Sequence, residues 1–353
     1  MHHTIITLVF TGKIFFCHIF ICNKLKVQMQ ARVFDAIGTS NVKATKLSGD
    51  ESQWRTEVQS AVNDKKSSGL GIMFKQSDFD AYGKALESIW QKYEKQKKAI
   101  AEAKKYGEVI VAASSKDKNY SYIPDCSDLD IPEDTDYVYI CENETIHGVT
   151  WPKLPNTKGH VLVSDQSSMF LSKPCNVSDY GIIYGGVQKN IGPAGLAIVI
   201  IREDLIRDDL KDLPIYLQYS THAGSGSMYN TPNCWAIYVC GKVFKYLKSI
   251  GGLAEMEKIN VAKAKVFYDF LDQSKLFQGT VRKEDRSLMN IPFVTGDADL
   301  DAEVIAYTKK AGFENLKGHK SVGGLRASVY NAMPIEGVIA LVECLKKFEE
   351  EHK

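Results

Sequence analysis

Hydrophobic and polar positions along this chain recur with two periods, and the switches between them mark out the elements. Short apolar, often β-branched runs bounded by glycine, proline or charge predict strands at 108–112 (EVIVA), 137–141 (YVYIC), 160–164 (HVLVS), 181–184 and 197–201. Further strands are predicted near 288–294 and 325–330. Apolar residues three and four positions apart predict helices over 82–106, 233–248, 253–271, 299–311 and 335–350. In the last of these Val338, Ile339, Leu341, Val342, Leu345 and Phe348 make a core-facing stripe. From residue 108 onward strands alternate with helices or long loops, the pattern of an α/β protein. Gly251 and Gly252 break the helical period, and the domain boundary is placed there. A large domain then spans 92–252 and a smaller α/β domain 253–353.

The first ninety-odd residues keep neither period. Residues 4–22 are markedly apolar but interrupted by Lys13 and His18. They are marginal in length for a membrane span and lack the basic-then-apolar-then-small order of a secretory signal. Residues 1–30 are therefore read as a leader outside the fold, with no membrane expected. Residues 31–91 are polar with short apolar clusters and form an atypical N-terminal region.

Composition narrows the function classes. A chain of 353 residues with 44% hydrophobic and 25% charged residues is of globular type and long enough for two domains. A formal net charge of +1 without like-charge blocks gives no reason to expect nucleic acid or an anionic membrane as partner. Eight cysteines carry no CxxC pair or regular spacing, so neither a metal site nor a disulfide framework is expected, and a cytoplasmic location is.

Candidate chemistry gathers in the stretch GIIYGGVQKNIGPAGLAIVIIRE, residues 181–203. Between its two strands lies a glycine- and proline-bearing loop with a single lysine, Lys189. An amine at the end of a buried strand, among residues that let backbone approach a ligand, suits an enzyme that forms imines with carbonyl compounds. Upstream, Asp165 follows the strand at 160–164, where open α/β sheets place ligand-binding groups. A lysine for the imine and an aspartate that keeps a pyridine nitrogen protonated are the minimum set for pyridoxal phosphate. His147 reads as a solvated loop histidine.

The motifs AIAEAKKYG, CENETIHG, SDQSSMFLSKP, GGVQKNIGPAG, GSMYNTP and GHKSVGGLRASVYNAMP together resemble the phosphoserine aminotransferase family, class V enzymes of fold type I. The resemblance runs from Ala99 to His352. It implies a mostly parallel sheet in the large domain, pyridoxal 5'-phosphate as cofactor and a homodimer. It also implies amino-group transfer between glutamate and 3-phosphohydroxypyruvate, in serine biosynthesis. By the same resemblance Lys189 holds the cofactor and moves protons, Asp165 supports the ring nitrogen, and Thr145, Ser167 and Gln188 bind the phenolic oxygen and phosphate. Asn230 and Thr231 reach the partner subunit's cofactor. Arg326 takes the substrate α-carboxylate, as a planar guanidinium suits a carboxylate, and His319 and Lys320 take its phosphate.

The chain departs from the family's pattern near its start. No Gly-Gly-x-Arg phosphate loop and no Ser-His-Arg segment are present. The cofactor-stacking aromatic is expected at Lys95, and the nearest ring, Tyr93, is out of register. Two other readings stay open: another class V enzyme, such as an alanine–glyoxylate-type transaminase or a cysteine desulfurase, and a degenerate member that dimerises with little catalysis.

Overall fold

The computed structural model describes residues 4–10, 95–210 and 213–352. The described residues belong to one compact unit; the atypical region and Tyr93 lie outside them.

The large sheet has the order β1-β7-β6-β5-β2. Its strands are β1 (Thr4–Phe10), β2 (Tyr137–Cys141), β5 (Val161–Asp165), β6 (Ile182–Gly186) and β7 (Leu196–Arg202), while β3 (Asn143–Glu144) and β4 (Val149–Thr150) form a separate hairpin. β2, β5 and β6 are parallel, with Cys141 opposite Asp165 and Asp165 opposite Tyr184. β7 runs against β6, and β1 runs against β7, so four of the five strands point the same way. Leu196–Val199 and Ile201 are buried, as a continuous apolar run in a covered strand should be. The parallel strands bring their carboxyl ends, and so Asp165 and the turn after Gly186, to one edge of the sheet.

Two expectations are corrected here. Thr4–Phe10, assigned to a leader outside the fold, pairs with β7 over seven residues, Thr4 opposite Arg202 through Phe10 opposite Leu196. An apolar, β-branched run satisfies its own backbone and covers the open edge of β7. The second is the strand at 108–112. Residues 108–115 are irregular, and Ile110 and Val111 are each 56% exposed. β-branched composition favours extended chain, yet a strand exists only where a neighbour completes its hydrogen bonds. The helix expected over 82–106 is described as α1 (Lys95–Ala103).

Further on come α2 (Tyr219–Gly224), α3 (Cys234–Ser249) and α4 (Leu253–Gln273), the last two separated by Gly251 and Gly252, both at positive φ. Asn233 caps α3 by accepting from the Ala236 N–H at 3.2 Å. The C-terminal portion folds β8 (Gln278–Gly279), β9 (Asn290–Val294) and β10 (Leu325–Ser328) into an antiparallel sheet of order β10-β9-β8. Against it pack α4, α5 (Ala298–Lys310) and α6 (Ile335–Glu351).

Two apolar cores result. One lies among residues 138–240 around Ile183, Val187, Ile191 and Leu196. The other is aromatic, with Phe267, Phe277, Phe293 and Phe348 fully buried in tilted or edge-to-face contact. Of the α6 stripe, Val338, Leu341, Val342, Leu345 and Phe348 are buried, while Ile339 is 39% exposed. No described helix is long and apolar enough to cross a membrane.

Candidate active site

The β3–β4 hairpin hangs over the carboxyl ends of β2 and β5, and its loop is residues 145–148. Gly148 closes that loop at φ +69, where a Cβ would come within 2.1 Å of Pro292 on β9. Only glycine allows both the backbone turn and the close approach. The hairpin is further tied down by buried Asn143, whose amide donates to Ser168 Oγ at 2.7 Å and to Asn290 Oδ1 at 2.9 Å, and which accepts from Ser287 Oγ.

Thr145 in this loop is buried and serves two cations at once. Its Oγ1 accepts from Lys189 Nζ at 3.4 Å, and its carbonyl accepts from Arg326 Nη1 at 3.1 Å. Lys189 sits in the turn directly after β6, half-buried, with its Nζ 5.5 Å from the centroid of the Tyr330 ring. Arg326 is on β10, opposite Pro292 of β9. Its Nε is buried and has no hydrogen-bond partner among the described residues. A buried guanidinium N–H left unmet is costly, so a bound acceptor, such as a carboxylate, is what the position asks for.

Asp165 ends β5, buried, its Oδ1 accepting from the Ser167 N–H at 2.8 Å. Ser167 Oγ in turn accepts from the Gly186 N–H at 3.2 Å, which fastens the two strand ends together just before Lys189. Burial, and then the Asp165 charge, raise the pKa of both Tyr139 and Tyr184. These phenols, whose hydroxyls are 3.2 Å apart, stay neutral beside the carboxylate. Gln188 is exposed, with its amide folded back over Gly186.

Thr145, Lys189 and Arg326 thus share direct contacts, and Asp165, Ser167 and Gln188 stand at the adjacent strand ends. His319 and Lys320 lie in the loop before β10; His319 Nδ1 accepts from the Ser321 N–H at 3.3 Å and contacts Ser321 Oγ at 2.7 Å, and Lys320 is exposed. Asn230 and Thr231 are exposed between α2 and α3, and no described hydrogen bond joins them to the cluster. His147 corrects the sequence reading: it is buried, its ring 4.9 Å from that of Tyr120. The hairpin loop is held inward by Gly148, which carries the histidine with it.

Several residues of the site escape sequence reasoning. Asn190, next to Lys189, is buried, donates to the Phe170 carbonyl at 3.0 Å and accepts from the Asn331 N–H at 3.0 Å. Tyr330 and Asn331 flank the lysine turn from the other core. All three lie inside the motifs quoted above, adjacent to Lys189 or just past Arg326, and a polar residue within an apolar run was the available signal.

The class V aminotransferase family model matches residues 89–341. The chain is 46% identical over 257 residues to phosphoserine aminotransferase of Lysinibacillus sphaericus, covering 72% of this chain and 71% of that one. This chain belongs to the class V aminotransferases. Among solved structures, phosphoserine aminotransferase from Bacillus circulans matches with a TM-score of 0.72 at 39% identity, over 74% of this chain and 73% of that one. The PLP-bound phosphoserine aminotransferase from Trichomonas vaginalis matches with a TM-score of 0.67 at 38% identity, over 71% and 72%. The resemblance and the fold type read from the sequence hold. Pyridoxal phosphate is the cofactor of this family, and the residue types present fit it: an amine in the turn after β6, a buried carboxylate at the end of the neighbouring β5 and an unmet buried guanidinium N–H on β10.

Proposed function

We propose that this protein is a phosphoserine transaminase, moving an amino group between glutamate and 3-phosphohydroxypyruvate to give phosphoserine and 2-oxoglutarate, and so serving L-serine formation. The carrying observation is the double use of Thr145, which sets the Lys189 amine and the Arg326 guanidinium on either side of one residue. Bound pyridoxal phosphate supplies an electron sink for charge developing at the substrate α-carbon. Lys189 holds the cofactor and carries the proton at that carbon. Asp165 keeps the ring nitrogen protonated, while Thr145 donates to the phenolic oxygen and Ser167 and Gln188 to the phosphate. Arg326 orients the substrate carboxylate by a bidentate fork, and His319 with Lys320 receive its phosphate.

The working assembly in this reading is a cytosolic homodimer. α3 presents Trp235, Tyr238 and Tyr246, each more than half exposed, beside Met228 and Tyr229. An aromatic face of that kind suits a protein partner, and a second copy seated there would bring Asn230 and Thr231 toward the neighbouring cofactor. In this reading the large domain spans 92–252 and the small domain 253–353, which the separate apolar cores around Ile183 and Phe267 support.

The test is reconstitution with pyridoxal phosphate and assay of phosphohydroxypyruvate against glyoxylate. Wild type is expected to take up the cofactor, turn yellow and prefer the phosphorylated acceptor, while Lys189→Ala loses the visible absorption and turnover. Colour that persists unchanged in Lys189→Ala rejects the lysine assignment; a preference for glyoxylate rejects the substrate.

A further inference from the structure

Lys263 lies on α4 and nothing in the sequence reading gives it a role. Its side chain is 0% exposed. The ammonium donates to the carbonyls of Val329 at 3.2 Å and Tyr330 at 2.8 Å. Burial lowers its pKa, to about 8, and no described carboxylate offsets the cost of taking this charge out of water. A methionine would fill similar volume without that cost.

What the ammonium grips explains its presence. Val329 and Tyr330 follow β10 directly, and the Tyr330 ring faces Lys189 Nζ. The Tyr330 hydroxyl accepts from Asn290 at 3.0 Å. Asn331 binds Asn190, the neighbour of Lys189, and its side-chain oxygen accepts at 2.9 Å from Asn260, about one turn before Lys263 on α4. One face of α4 therefore holds the 329–331 stretch at two points, and that stretch bears on the lysine turn.

We propose that Lys263 is a positioning residue for Lys189: by fixing the carbonyls of Val329 and Tyr330 it keeps the Tyr330 ring against the Lys189 amine. The inference rests on Lys189 being the reactive amine. A ring face stabilises the ammonium form of a lysine, so a ring free to swing away lowers the pKa of Lys189. Deleting a nearby positive charge without moving the ring raises it. The two effects have opposite signs, and the experiment reads the sign.

Full-length protein freed of cofactor is pulse-acetylated with a trace of acetic anhydride across a pH series. The Lys189 peptide is quantified by mass spectrometry in wild type, Lys263→Met and Lys263→Gln, with circular dichroism melts to establish folding. The Lys189 midpoint is expected to fall by about half a pH unit in Lys263→Met. It should fall less in Lys263→Gln, whose amide still donates to a carbonyl. Reconstituted Lys263→Met is expected to lose about tenfold in kcat with KM within about twofold, a small geometric error at the reacting amine. A raised or unchanged midpoint, or equal shifts in the two variants, overturns the proposal. If Lys263→Met does not fold, Lys263→Gln decides: a lowered midpoint supports the clamp and an unchanged or raised one refutes it. Acetylation needs no turnover, so wild type that does not transaminate counts against the proposed reaction and leaves the Lys263 result standing.

Discussion

Single residues of the candidate site make contacts that link β3–β4, the turn after β6 and β10. Arg326 reaches from β10 to the Thr145 carbonyl with one Nη and keeps its Nε unmet among the described residues. Arg326→Lys retains the charge and loses the planar fork. We expect KM for glutamate to rise on the order of tenfold to a hundredfold with a smaller change in kcat, since a hydrogen bond to a charged group is worth about 1.5–3 kcal/mol; steady-state kinetics on the reconstituted enzyme check this. The nearness of Thr145, Lys189 and Arg326 was foreshadowed in the sequence, because their types and local motifs are distinctive and the resemblance groups them. Asn190, Tyr330 and Lys263 were not. Their roles come from which carbonyl or ring meets them in the folded chain, and a lone buried amide or ammonium gives no spacing to read. His147 went the wrong way for a related reason. A turn histidine is ordinarily wet, and this one is buried with its ring against that of Tyr120, a packing no local spacing announces.

At the scale of elements, sequence period located helices closely: the stretch expected over 335–350 folds as Ile335–Glu351 and that over 299–311 as Ala298–Lys310. Asp297 fixes the start of the latter, its side chain accepting from the N–H groups of Asp299 and Leu300. Strands were harder, because a strand is a property of a pair. EVIVA has strand composition and no described partner, whereas Thr4–Phe10, discounted as a leader, pairs along its whole length. The α3 helix raises a different question, since Trp235 is 69% exposed and stacks on Tyr238 with ring centroids 6.1 Å apart. If this face joins two copies, Trp235→Glu buries a charge in the interface. Sedimentation velocity should then show a shift toward monomer at micromolar concentration, by about tenfold or more in Kd, while the far-ultraviolet circular dichroism stays that of wild type. An unshifted dimer places the interface elsewhere.

For the molecule as a whole, the site stands where the hairpin from the first core meets β9, β10 and the 329–331 stretch from the second. Stability of the second core is therefore a condition for the site. Asp272 on α4 and Arg286 before β9 are joined by two hydrogen bonds, 2.6 Å and 3.1 Å, and Lys283 adds a third contact at 2.9 Å. The Arg286 hydrogen bonds, chiefly, bring the Asp272 carboxyl down to about 2. A carboxylate depressed in the folded state stabilises above its unfolded pKa, about 3.9. That contribution is lost as pH falls through 4 toward 2. We expect Asp272→Asn to cost about 1 kcal/mol at pH 7, a value held low by partial exposure. The gap to wild type should close as pH falls toward 2, read by urea denaturation at each pH. A gap that stays constant with pH would assign the loss to packing instead.

Gly148 has a consequence for anyone recombining this protein with a relative. At this point the first core touches the second with no side chain between them, the missing methyl leaving room for the Pro292 ring. A chimera joined near residue 252 inherits the glycine from one parent and the proline from the other, and each must arrive with its counterpart. Mismatched at that one place, the two halves would each keep their own interior and still hold the lysine and the arginine out of step.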